Sequence, residues 1–345
     1  MHVQDPARSD RARRLPPPGI VIAAIVILSG VGWAIAQTAR KSNVTQADAA
    51  LEPSPIDGKR AYRYLQEICK IGPRPAGSAA NARQRAMVAK HFELHGGVVR
   101  EQPFTAVDPL TGAKVEMANL IGSWFPDRLE RVVIGVHYDT RPFPDEDPDP
   151  VARRTPFIGA NDGASGVAML MEIAHHLSKS PTPWGVDLVL FDGEELVYGG
   201  GRNQTGEYFL GSRFFSREYA RAYKNRTRTT PRYLHGFVLD MIADRDLDLP
   251  KEPHSVELVP RFVRDVWGVA KSLGVKQFRD AVGDVAVLDD HLPMNDAGIP
   301  TLDIIDFTYP HWHTAGDTPD KCSAESLEAV GRVVTAWLNR PKLRR

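Results

Sequence analysis

Cysteine is nearly missing from this chain: there are two in 345 residues. Two thiols build neither a disulfide framework nor a cysteine-ligated metal site. An excess of one charge is missing as well. Lys plus Arg and Asp plus Glu each count 43, so the formal net charge is zero. Proteins that bind nucleic acid carry a basic excess, because neutralising phosphates releases counterions. Nucleic acid is therefore not an expected partner. No internal repeat is visible, and apolar residues at 42% with charged residues at 25% exclude wholesale disorder. What the chain does have is 11 histidines and many carboxylates. Any metal must be held by His, Asp and Glu.

Long apolar runs are absent except in one place. Ile20 to Ala36 is almost wholly apolar, and Arg8, Arg11, Arg13 and Arg14 precede it. A basic flank before such a run reads as an export signal with its N-terminus held in the cytoplasm. The run approaches the ~20 residues that span a bilayer, and Ala34-Ile35-Ala36 resembles a small-x-small cleavage site. Residues 1–19 then form a cytoplasmic basic tail, and 20–36 a transmembrane signal-anchor or a cleaved signal peptide. Polar, Pro-containing residues 37–56 form a linker. The remainder is expected outside the cytoplasm, either membrane-anchored or secreted. In that oxidising compartment Cys69 and Cys322 form a disulfide or stay as two buried thiols.

From residue 57 onward, helix-like and strand-like segments alternate. Apolar runs at 132–136, 186–191, 237–239 and 300–305 have the length and β-branching of buried strands. Helical spacing covers 62–68, 79–95, 166–177, 208–222, 259–273 and 324–339. Strands alternating with helices predict an α/β fold, with a mainly parallel sheet covered on both faces. The Pro-rich stretch 141–157 and the Gly-rich stretch 199–206 follow strand ends. Ligands bind there in open α/β sheets, so both are read as rim loops.

The strand ends carry the chemistry. His137-Tyr138-Asp139 follows the first apolar run, and Asn161-Asp162-Gly163 precedes a helix. Asp192-Gly193-Glu194-Glu195 follows the second run, and Asp240 closes the third. Asp289-Asp290-His291 and Trp312-His313-Thr314 come late. Singly these are surface pairs and turns. Together they put several carboxylates on one sheet edge, at a desolvation cost of several kcal/mol per ion. A divalent cation removes that cost, and zinc accepts Asp, Glu and His where cysteine is lacking. His175 and His176 read as one packed and one solvent-facing residue. His291 reads as orienting the acid network, and His311 as a surface residue near the rim.

This ordered set resembles the zinc-dependent M28 peptidase family, which includes the glutaminyl cyclases. The matching pieces also include Gly159-Ala160, Leu210-Gly211-Ser212-Arg213 and Asp317, over about residues 57–338. The resemblance implies a three-layer α/β/α catalytic domain over 57–345 with a mixed, mainly parallel sheet, as in zinc aminopeptidases. It implies that Asp162, Glu195 and His313 ligate zinc and that Glu194 is the general acid/base. His137 and Asp240 match positions that hold a second metal in the two-zinc aminopeptidases. The cyclases retain both positions with one zinc.

Three features resemble the cyclase branch, bacterial type. Asp289 stands where the aminopeptidases commonly have Ser, and in cyclases this Asp joins an acid network with Glu194 and Asp240. Trp312, before His313, matches the wall against which the substrate glutamine packs. Residues 298–317 look like the bacterial cyclase-like members. Three others depart. Asn161 to Gly166 looks like the peptidase consensus, Tyr198 and glycines follow the Glu pair where animal cyclases carry Trp, and Asp303 replaces a His. The implied activity is closure of N-terminal Gln to pyroglutamate with loss of ammonia, on peptide or protein N-termini, with one zinc. The alternatives are a two-zinc aminopeptidase and a catalytically silent peptide-binding member.

Overall fold

The computed structural model describes residues 55–199 and 204–342. The expectations for the basic tail, the apolar run and nearly all of the linker lie outside those residues. Among the described residues, no helix is long and apolar enough to cross a membrane.

Six strands form the central sheet. β1 (Val98–Val107) and β2 (Lys114–Trp124) make an antiparallel hairpin. β3 (Glu130–His137), β4 (Gly185–Phe191), β5 (Arg232–Asp240) and β6 (Thr301–Ile305) follow. The strand order is β1-β2-β4-β3-β5-β6. β4, β3, β5 and β6 are mutually parallel, and β2 joins β4 antiparallel. The sheet is thus mixed and mainly parallel, as expected. β1 and β2 were not foreseen. Residues 98–107 (VVREQPFTAV) carry no clean apolar alternation, because this edge strand keeps its side chains exposed or half-buried.

Helices α1 (Gly58–Cys69), α2 (Ala79–Leu94) and α3 (Ala164–Leu177) precede α4 (Leu210–Lys224), α5 (Pro253–Leu258) and α6 (Pro260–Ser272). α7 (His291–Asp296) and α8 (Ala324–Leu338) complete the set. Asp57, Ser78 and Ser323 cap α1, α2 and α8 through their side chains. Each such cap contributes about 1 kcal/mol. α3 is buried nearly all round, as a helix apolar on every side must be.

The strands' alternating side chains feed two cores. On one face Val133, Val189, Phe191 and Val238 pack with Phe215 of α4 and Met294 of α7. On the other, the Phe237 ring meets Phe262 of α6 and Trp337 of α8, with centroids 4.9 and 5.2 Å away. At the N-terminal edge of the parallel strands, a buried Arg131–Asp187 pair (2.6 Å) also receives Tyr233 Oη–H and Ser123 Oγ–H. The C-terminal edge is where the chemistry gathers.

Two smaller expectations resolve. Cys69 and Cys322 are free, buried thiols. Burial pushes the Cys69 thiol up to about 12 and Cys322 well above its ordinary value, so both stay neutral. Neither His175 nor His176 faces solvent alone. Both are half-buried, with His176 against Arg60 (2.7 Å) and the His175 ring 4.5 Å from that of His95.

Candidate active site

The Glu194–Glu195 pair is placed by a sharp turn after a buried strand. Gly193 has φ +71°, and a Cβ there would lie 2.6 Å from Met117 Sδ. The chain turns on it, so that Glu194 and Glu195 project from the end of β4. Their backbone N–H groups both donate to the Asp139 carboxylate, at 3.1 and 3.0 Å. The Asn161 and Asp162 N–H groups donate likewise to Asp317, at 2.9 and 3.1 Å. Gly163 (φ +95°) follows, its Cβ position 2.8 Å from Asp139 O. Two buried carboxylates therefore clamp the two loops. Burial, with Asp192 beside Asp139 and Asp162 beside Asp317, raises the pKa of each to about 7.

Asp162, Glu195 and His313 converge, with one donor atom from each within 4.8 Å of the others. His313 Nε2 lies 2.9 Å from Glu195 Oε1 and 3.4 Å from Asp162 Oδ2. All three residues are buried, and Asp162 Oδ2 has no hydrogen-bond donor. Two acids and an imidazole around such an orphaned oxygen fit a divalent cation. Arg141 Nη1 donates to the other Glu195 oxygen (2.7 Å) and to Tyr208 Oη (3.1 Å). Burial pushes the Glu195 carboxyl up, but His313 and Arg141 outweigh it and hold it below the ordinary range. Burial opposes charging His313, yet Glu195 and Asp162 raise its pKa. A bound cation reverses that direction, since a ligand imidazole must be neutral.

His313 adopts φ +51°, a left-handed conformation that costs a non-glycine residue about 1–3 kcal/mol. The loop at 141–157 supports it: Glu146 N–H donates to His313 O (3.1 Å), and Asp147 accepts from Ala315 N–H (2.9 Å). Trp312 stacks on the His313 ring, with centroids 3.9 Å apart, and packs against Met241, Val287, Ile305 and Tyr309. An apolar wall thus adjoins the candidate metal position.

His137 Nε2 lies 3.2 Å from Asp162 Oδ1 and 3.1 Å from Asp240 Oδ1. His137, Asp162 and Asp240 form a second converging set that shares Asp162 with the first. Beyond it the acids accumulate. Burial first, then Glu195 and the pair Asp290 and Asp289, set the Glu194 carboxyl well above its ordinary range, against the opposing pull of His137. Burial and Asp240 do the same to Asp289. Asp289, His291 and Asp303 form a third buried group, with His291 Nε2 3.4 Å from Glu252 and Nδ1 3.6 Å from Asp303.

The eight residues expected at the site (Asp162, Glu195, His313, Glu194, His137, Asp240, Asp289 and Trp312) are brought to one sheet edge. His291 lies in the acid network. Arg141, the clamping roles of Asp139 and Asp317, and Tyr208 were missed. Asp139 and Asp317 stand inside the recognised motifs, but the motif does not say that they bind backbone N–H groups. Nothing in the spacing signals Arg141, which reaches Glu195 from a loop 54 residues earlier.

An α/β sheet with clustered acids and imidazoles at its C-terminal edge forms a site whose donor set fits a divalent metal ion. Comparison narrows this. The pattern of peptidase family M28 matches residues 119–338. The structure of Fimbriiglobus ruber glutaminyl cyclase superposes with a TM-score of 0.80 at 40% identity, covering 84% of this chain and 97% of that one. A leucine aminopeptidase precursor from Bacteroides thetaiotaomicron superposes at 0.75 with 33% identity, covering 83% and 98%. The mouse glutaminyl-peptide cyclotransferase-like protein is 25% identical over 317 residues, 86% of this chain and 79% of that one. The chain belongs to peptidase family M28.

Proposed function

We propose that this chain is a zinc-dependent glutaminyl-peptide cyclotransferase, which closes N-terminal glutamine to pyroglutamate and releases ammonia. One observation carries the reading: Asp289, a buried acid with a raised pKa, shares the Glu194 pocket beside the Trp312 wall. The similarity to the F. ruber glutaminyl cyclase supports it.

Asp162, Glu195 and His313 would hold the zinc, one per chain. When bound, the ion supplies Lewis acidity toward the side-chain amide of the substrate. The substrate's α-amine attacks its own side-chain carbon, forming one C–N bond as the amide C–N bond breaks. Glu194 takes the proton from the attacking nitrogen and passes it to the departing one, which leaves as ammonia. Asp289, with Asp240 next to it, keeps a proton within the acid group, because adjoining carboxylates raise one another's proton affinity. Trp312 and its apolar neighbours hold the glutamine side chain folded. Orientation of this kind contributes up to ~7–11 kcal/mol.

The convergence of His137, Asp162 and Asp240 favours a second reading, a two-zinc aminopeptidase in which Glu194 deprotonates water. Zinc-loaded protein offered two peptides, one starting with Gln and one with Leu, separates the readings by mass. Loss of one ammonia from the Gln peptide alone is the cyclase outcome. Free Leu is the peptidase outcome. Two intact peptides point to a silent peptide-binding member, and metal analysis of the same sample counts the zinc. The basic flank and the apolar run at 20–36 support a catalytic domain outside the cytoplasm, membrane-anchored or released after Ala36. Intact mass of the exported protein separates those two.

A further inference from the structure

A groove of about 590 Å³ runs between α4 and α7, beside the active site. Phe209, Arg213 and Arg217 line one wall, and Leu288, Leu292 and Asp296 the other. That volume lies in the range of ligand pockets.

Both walls are continuous with the catalytic loops. Phe209 N–H reaches Glu194 O (3.4 Å), and Leu210 N–H reaches Gly193 O (3.2 Å). Phe209 itself sits at φ +64°, a left-handed conformation like those of Met241 and His313. On the other wall Leu288 immediately precedes Asp289, and Ser212 Oγ–H donates to Asp290 (2.5 Å), tying α4 to the head of α7. Leu288 therefore stands where the groove meets the acid pocket.

The groove's chemistry is mixed. Leu288 is 67% exposed, a large apolar side chain with a free face at the rim. Arg213 and Arg217 lie one helical turn apart on α4, on the same side of the helix. Arg213 makes an ion pair with Glu207 at 3.4 Å, with side chains 46% and 73% exposed, and such pairs contribute little. The Arg217 guanidinium lies 5.9 Å from the Phe214 ring. Asp296 is the one carboxylate lining the groove, against two guanidiniums.

We propose that this groove receives residues two to four of the substrate peptide, favouring an apolar second residue followed by an acidic one. The proposal rests on the cyclase reading for the chemistry that reports it, but the groove is tested separately. The zinc-loaded full chain is given Gln-Leu-Glu-Ala, Gln-Leu-Lys-Ala and glutamine amide. The Glu peptide is turned over with kcat/KM about fivefold above the Lys peptide at low salt. Arg213→Gln/Arg217→Gln abolishes the difference and leaves glutamine amide turnover unchanged. Arg213→Glu/Arg217→Glu inverts the preference. Equal kcat/KM for the two peptides in the unmodified chain overturns the proposal, as does a Glu preference that survives both double variants. Where no peptide loses ammonia, it is the cyclase reading that fails. Fluorescence anisotropy of the same two peptides, labelled at the C-terminus, then reads the groove alone. A Kd ratio of about fivefold that disappears in Arg213→Gln/Arg217→Gln supports it, and equal Kd values overturn it.

Discussion

The metal corner and the acid pocket lie side by side, are equally buried, and are built on opposite electrostatic terms. In the metal corner Glu195 is compensated on both oxygens, by His313 and Arg141. The loops that carry Asp162 and Glu195 are clamped through their backbone N–H groups. In the acid pocket Asp289 accepts one N–H, from Asp290, and Asp303 has no ring N–H donor nearer than His291 Nδ1 at 3.6 Å. The first region stabilises charge and so suits a cation. The second disfavours charge and so retains protons. Placed next to each other, they give Glu194 a ligand on one side and a proton reserve on the other.

The largest expected effect tests that division at Glu194. Glu194→Gln keeps the shape and the metal set but loses the proton carrier. Turnover is expected to fall about 10²–10⁴-fold, with zinc content by metal analysis unchanged. Activity equal to the unmodified chain would falsify the role given to this residue.

The clamp comes next. Asp139→Asn leaves one of the Glu194 and Glu195 N–H groups facing an amide NH₂. Zinc affinity, read by competition with a chelating dye, is expected to weaken about 10–100-fold. An unchanged affinity would show that the metal corner is organised without its clamp.

Trp312→Ala removes the stacked wall. KM for Gln peptides is expected to rise about 3–10-fold with kcat changed less, as an aromatic contact contributes about 0.5–1.5 kcal/mol. A loss confined to kcat would assign Trp312 to His313 alone rather than to the substrate.

The smallest effect probes the acid pocket. Burial, with Asp289 close by, raises the Asp303 pKa well above its ordinary value. The unfolded chain releases that proton at about pH 3.9 while the folded chain retains it. The group's contribution is therefore fully present below about pH 4 and is lost as pH rises toward the folded value. Asp303→Asn removes the loss. The variant's Tm should match the unmodified chain's at pH 4 and exceed it by about 2–4 °C at neutral pH. A variant less stable at neutral pH would mean that Asp303 is paired and charged.

Much of this was legible in the chain. The buried strands announce themselves at 132–136, 186–191, 237–239 and 300–305 because both faces are covered, so apolar residues follow one another with few polar interruptions. β1 was not legible, because an edge strand half in water has no such run. The motif residues at the strand ends were legible because chemistry restricts them to Asp, Glu and His.

The amino-acid sequence by itself determined the ligand types, their order and the alternation that puts them at strand ends. Those follow from residue chemistry and from periodicities that act over a few positions. Only the tertiary structure decided that Asp139 and Asp317 hold backbone N–H groups, that Arg141 neutralises Glu195, and that Asp303 is buried among other acids. Those facts depend on which groups meet across the fold, from residues 54 to 156 positions apart, and on how much water remains between them.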